Sequence, residues 1–246
     1  MPRFNKTYLS LDNAEKRGFI HRDYIAHCLR WTHAVKFLQQ HKRYESANIL
    51  DVGCGKELPF LKTLYTSRMS PVLYVGVDAG TIEPPKFLKD SRKTILEIYP
   101  KENFLEFEYV WDKQGEFTLI TSFEVLEHMS KEDGIKFLNR LRAHMSEDTM
   151  LMISTPCFNG KAAANHVYEW GYNELEVELE RFGMFKIKNV YGTFASIKDY
   201  ENRLMDNMSK VMWDRLREYY DVNYLATLFA PCFSDLSRNC LWELSI

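Results

Sequence analysis

The stretch Ile49-Leu50-Asp51-Val52-Gly53-Cys54-Gly55-Lys56-Glu57 constrains this chain more than any other. An apolar run from Ala47 to Val52 drops into a glycine turn, and a helix-forming segment begins near Pro59. A buried parallel strand feeding a helix through a tight turn has this pattern. Gly53 and Gly55 allow a sharp turn and a close approach to a ligand, because neither carries a Cβ. Further on, Leu73-Tyr74-Val75-Gly76-Val77-Asp78 reads as a second apolar strand ending in a carboxylate. An acid at that position suits two ribose hydroxyls.

This unit resembles motif I of the class I S-adenosylmethionine-dependent methyltransferases, strand-Asp-x-Gly-x-Gly-x-Gly. Gly53 and Gly55 match the first two glycines, and the third falls on Glu57. A dinucleotide-binding dehydrogenase would use a third glycine there for close helix packing beside a pyrophosphate. Glu57 would repel that pyrophosphate, whereas S-adenosylmethionine has none and carries a sulfonium cation. The resemblance implies S-adenosylmethionine as cofactor, held by Asp51, Gly53, Gly55 and Asp78. In this family an acid after the third strand contacts the adenine amino group. Residues 104–110 alternate as that strand, which makes Asp112 the match.

The remaining pattern predicts a helix over 58–69, a fourth strand over 117–122 and a helix over 131–145. A fifth strand follows over 149–154, a helix over 174–182 and a sixth strand over 184–191. Alternating strands and helices imply an α/β fold with a doubly wound, mostly parallel sheet. The end, 239–246, looks like the family's seventh strand, antiparallel beside the sixth. Residues 1–46 read as an N-terminal helical extension and 47–246 as the methyltransferase domain, with a helical insertion over 199–238. With 246 residues, 46% of them apolar, the chain can bury a substantial core.

Glu124, Glu127 and His128 follow the fourth strand at spacing i, i+3, i+4, which in a helix turns all three to one face. Two carboxylates and an imidazole there suit a divalent cation and repel one another without it. His166 lies beyond the fifth strand, whose end converges with the fourth at the ligand-binding edge of such a sheet. The four residues thus form a candidate metal site for Mg²⁺, Mn²⁺ or Zn²⁺, with His128 and His166 also the candidate catalytic bases. Glu-x-x-Glu-His with a later His and Tyr168-Glu169-Trp170 resembles the small-RNA 2′-O-methyltransferases. The Glu-x-x-Glu-His part also resembles ubiquinone-biosynthesis O-methyltransferases. Both resemblances imply a metal that grips the acceptor's adjacent oxygens and assists deprotonation.

The Asn/Asp-Pro-Pro-Tyr sequence of amino-group DNA methyltransferases is missing after strand four. Pro156-Cys157 follows strand five, the wrong place for a cytosine C5 nucleophile. An oxygen acceptor is therefore expected. A net charge of -2 leans toward a small molecule, while seven Lys/Arg against one Asp over 16–43 lean toward an RNA 3′ end. The rival outside enzymes is a non-catalytic donor-binding or scaffold protein of the same fold. Five cysteines without a CxxC pair, and no apolar run of membrane-spanning length, point to a cytoplasmic protein without a membrane partner.

Overall fold

The computed structural model describes residues 22–41, 46–84, 94–109, 116–158, 160, 162–195, 207–220 and 222–246. Its contacts divide the chain into two compact units. One comprises Trp31–Asn189 with Trp242–Ile246, the other Met1–Arg30 with Val190–Leu241.

In chain order the strands are β1 (Asn48–Val52), β2 (Leu73–Asp78), β3 (Ile95–Pro100), β4 (Leu119–Phe123), β5 (Met150–Pro156), β6 (Lys186–Ala195) and β7 (Ser237–Ser245). They make one seven-stranded sheet in the order β3-β2-β1-β4-β5-β7-β6. The pairs β2–β3, β1–β2, β1–β4 and β4–β5 are parallel. Every residue of β1 is buried, as expected of a central parallel strand covered on both faces. The register of the last pair shows in its side chains. Asn189 Nδ2 donates to Glu243 Oε2 at 2.6 Å, and Thr193 Oγ1 donates to the Asn239 carbonyl at 3.1 Å. Partner numbers fall along β7 as they rise along β6, so β7 runs antiparallel, as the sequence predicts.

The helices are α1 (Arg22–Gln40), α2 (Pro59–Thr66), α3 (Lys131–Ala143), α4 (Tyr172–Glu180), α5 (Asn207–Arg217) and α6 (Val222–Phe229). Proline at the first position of α2 gives up an amide that has no intrahelical partner anyway. Its Phe60, Leu61 and Leu64 are buried. Ser130 caps α3 by accepting the Asp133 amide, while Phe137, Leu138 and Leu141 pack inward. In the second unit, Trp213 of α5 and Leu225 of α6 pack with Ala230 into a cluster of their own.

The third strand lies elsewhere than the sequence predicts. β3 occupies Ile95–Pro100 at the sheet edge, pairing Leu73 with Ile95 through Asp78 with Pro100. Residues 104–106 form a turn and 107–109 continue without regular structure, with the Glu106 amide donating to the Asn103 carbonyl at 2.9 Å. Phe104 and Phe107 are both buried, and Phe104 meets Phe137 of α3 at 5.4 Å between ring centroids. Residues three apart fall on opposite faces of a strand but on one side of a turn. Burying both rings therefore overrides the alternation.

Candidate active site

Gly53 and Gly55, at the carboxyl end of β1, have φ of +74° and +73°, which side chains rarely adopt. The amides of Gly53 and Cys54 both donate to the Val77 carbonyl of β2, at 2.8 and 3.2 Å, and so hold the loop against the next strand. The Asp78 carboxylate takes one amide on each oxygen: Gly55 on Oδ2 at 2.8 Å and Gly80 on Oδ1 at 2.7 Å. Each oxygen keeps a second lone pair, so the group can still accept a pair of vicinal hydroxyls.

Asp51 plays a different part from Asp78. Its carboxylate is buried beneath the loop and accepts from Tyr74 of β2 and, at 2.8 Å, from Thr121 of β4. Burial pushes its pKa up to about 6, although both hydrogen bonds pull the other way. The side chain braces β1 between its two neighbours. Burial likewise raises the Cys54 thiol, which makes it a poor nucleophile. Glu57, where the third glycine would be, is an exposed partner of Lys62 at 2.6 Å. Asp112 lies outside the described residues. With β3 at 95–100, the acid that follows it is Glu102, whose amide donates to the Asp78 carbonyl at 3.1 Å.

Glu124, Glu127 and His128 do not share one helix face. Glu124 has φ +59°, a left-handed conformation uncommon for a residue with a side chain, and Leu126–His128 form a single 3₁₀ turn. Ligand atoms of Glu127, His128 and His166 all lie within 4.8 Å of one another, and Glu124 stands outside that group. Its Oε1 accepts from Ser154 of β5 at 3.0 Å instead. Glu127 is buried, with Oε2 accepting from Thr155 at 3.2 Å and Oε1 4.0 Å from His128 Nε2. The backbone closes the cluster. The Glu127 carbonyl accepts the amides of Val167 and Tyr168, at 2.8 and 3.2 Å. His128 Nδ1 donates to the Asn165 carbonyl at 3.1 Å, and His166 Nδ1 meets Glu169 Oε1 at 2.5 Å. Both rings therefore keep Nε2 free. Two imidazoles and one carboxylate are a donor set that suits a divalent cation, and bonds of about 2.0–2.2 Å to one ion require the three ligand atoms to draw closer together than 4.8 Å.

A glycine loop after β1, an acid closing β2 and a polar turn after β4 on a 3-2-1-4-5-7-6 sheet define the class I methyltransferase fold. The model of the methyltransferase domain family matches residues 21–206, and the chain belongs to that family, the S-adenosylmethionine-dependent methyltransferases. No curated protein matches it in sequence. Solved structures share the fold at low identity. Magnesium protoporphyrin IX methyltransferase from Synechocystis PCC 6803, with bound SAM, is 12% identical, with 98% of this chain and 88% of that one covered and a TM-score of 0.55. The 1,6-didemethyltoxoflavin-N1-methyltransferase of Burkholderia thailandensis is 16% identical, over 87% and 77% of the chains, with a TM-score of 0.52. The small RNA methyltransferase HEN1 is 17% identical over 87% of this chain but only 25% of its own, with a TM-score of 0.55. Among the described residues no helix is long and apolar enough to cross a membrane.

Proposed function

We propose that the protein transfers the methyl group of S-adenosylmethionine to a hydroxyl oxygen of a small molecule, at a divalent cation held by Glu127, His128 and His166. The convergence of those three side chains, with both histidines directed by Nδ1 hydrogen bonds, carries the reading. Asp78 accepts the ribose hydroxyls of the donor, and the loop at Gly53 and Gly55 gives the rest of it a close backbone surface. Asp51 holds that surface in place from below. A divalent cation at the cluster would lower the pKa of an acceptor hydroxyl. The acceptor oxygen forms its bond to the methyl carbon as the carbon–sulfur bond breaks, which leaves S-adenosylhomocysteine. The hydroxyl proton passes to solvent, or to Nε2 of His166 where no cation occupies the cluster.

Two measurements test this. Calorimetry should show S-adenosylmethionine and S-adenosylhomocysteine binding; no binding of either would sink it. Donor turnover against a catechol panel and against total small RNA identifies the acceptor. Turnover with RNA alone, falling steeply with salt, would replace the small molecule with an RNA end.

A further inference from the structure

We propose that Glu169 is a positioning residue that fixes the His166 ring with Nε2 as its free nitrogen. The inference rests on the reading of Glu127, His128 and His166 as the reacting cluster. One oxygen of Glu169, Oε1, lies 2.5 Å from His166 Nδ1 and also accepts the Ala163 amide at 2.8 Å. Side-chain exposure is 14% for His166 and 6% for Glu169, so water competes little for this contact. An ionised carboxylate only accepts, so Nδ1 must carry the proton and Nε2 presents its lone pair.

The carboxylate reaches His166 from a fixed base. On one side of it, the Tyr168 amide is held by the Glu127 carbonyl, and its hydroxyl donates to Glu174 at 2.6 Å. On the other, Trp170 is buried, and its ring lies 3.4 Å from where a Cβ on Gly134 of α3 would stand. The Trp170 carbonyl also accepts the Phe158 amide at 2.8 Å. Among the described residues no lysine or arginine pairs with Glu169. A carboxylate this little exposed whose side-chain partner is a single imidazole has little else to do than hold that imidazole. A plain loop clamp would need only the Ala163 amide.

Long-range proton–nitrogen NMR of the metal-free protein separates the two roles. Wild-type His166 should be the Nδ1–H tautomer. Glu169→Gln, whose amide oxygen can accept both donors, should keep it. Glu169→Ala should lose it while S-adenosylhomocysteine affinity stays unchanged. Mn²⁺ affinity, read by electron paramagnetic resonance, should fall about 10- to 100-fold in the alanine variant and recover in the glutamine variant. A folded Glu169→Ala protein with wild-type tautomer and wild-type Mn²⁺ affinity overturns the proposal. If that variant does not fold, Glu169→Asp makes the same test, because it keeps the charge and withdraws the oxygen by one carbon. A wild-type protein that binds no Mn²⁺ yet shows the Glu169-dependent tautomer supports the positioning role while removing the cation from the proposed function.

Discussion

Cγ2 of Val125 lies 2.1 Å from where a Cβ on Gly53 would stand. The glycine loop after β1 and the acidic turn after β4 are thus packed together through a side chain that is missing. Any residue larger than glycine at 53 must displace that Val125 methyl, on the turn that leads into Glu127 and His128.

Gly53→Ala therefore faces two penalties. Its φ of +74° costs a side-chain residue about 1–2 kcal/mol. Crowding Val125 adds about 1–3 kcal/mol. A lower melting temperature and weaker S-adenosylhomocysteine binding are the expected result. Adding Val125→Ala should restore the crowding part and leave the backbone part, which a double-mutant cycle reads directly. Wild-type stability in Gly53→Ala would mean that the loop moves freely of the turn.

Asp78→Ala removes the acceptor of the Gly55 and Gly80 amides together with the proposed ribose contact. Charge-assisted hydrogen bonds of this kind are worth about 1–3 kcal/mol, so S-adenosylhomocysteine should bind roughly 5- to 150-fold more weakly by calorimetry. Mn²⁺ binding should stay as it was. Undiminished donor affinity in a folded variant would take Asp78 out of the donor site.

Much of this was legible in the sequence for one physical reason: central parallel strands are buried on both faces, and burial demands apolar runs. β1, β2, β4 and β5 all show such runs, and the two glycines sit where the backbone turns. The edge strand gave no such signal. In β3 Ile95 is exposed and Glu97 only partly buried, so the alternating residues 104–110 looked more like a strand than the strand itself. The helical spacing of Glu124, Glu127 and His128 also misled. The left-handed Glu124 breaks the chain direction after β4, which no periodicity reports. The Glu127–His128–His166 convergence survives because a 3₁₀ turn, too, brings 127 and 128 to the loop bearing His166.

Stability should depend on pH through Asp51. Its folded pKa of about 6 stands above the ordinary aspartate value of 3.8, because burial outweighs the Tyr74 and Thr121 hydrogen bonds. A carboxyl with a raised folded pKa stabilises fully below its unfolded pKa and loses that contribution as pH rises through the folded one. Asp51 should thus take away roughly 3 kcal/mol between about pH 4 and pH 6. Denaturant titrations of Asp51→Asn should be flatter across that window than those of wild type. Curves of the same slope would show that Asp51 ionises in the folded protein as easily as in the unfolded chain.

The cluster after β4 makes the most specific prediction about turnover. Glu127→Gln exchanges a carboxylate for an amide of nearly the same shape, so the Thr155 contact can persist while the anionic ligand is lost. His166→Ala removes an imidazole that the Glu169 carboxylate holds. Each should abolish divalent-cation binding and turnover and leave S-adenosylhomocysteine affinity nearly unchanged, since the proposed donor site lies on the β1 and β2 loops. Glu124→Gln should cost less, because Glu124 stands outside the convergent group and faces Ser154. EDTA should reproduce the ligand variants, and added Mn²⁺ should reverse it. Full activity of EDTA-treated, metal-free enzyme with its true acceptor would make the cluster structural in its metal sense and leave His166 Nε2 as the base.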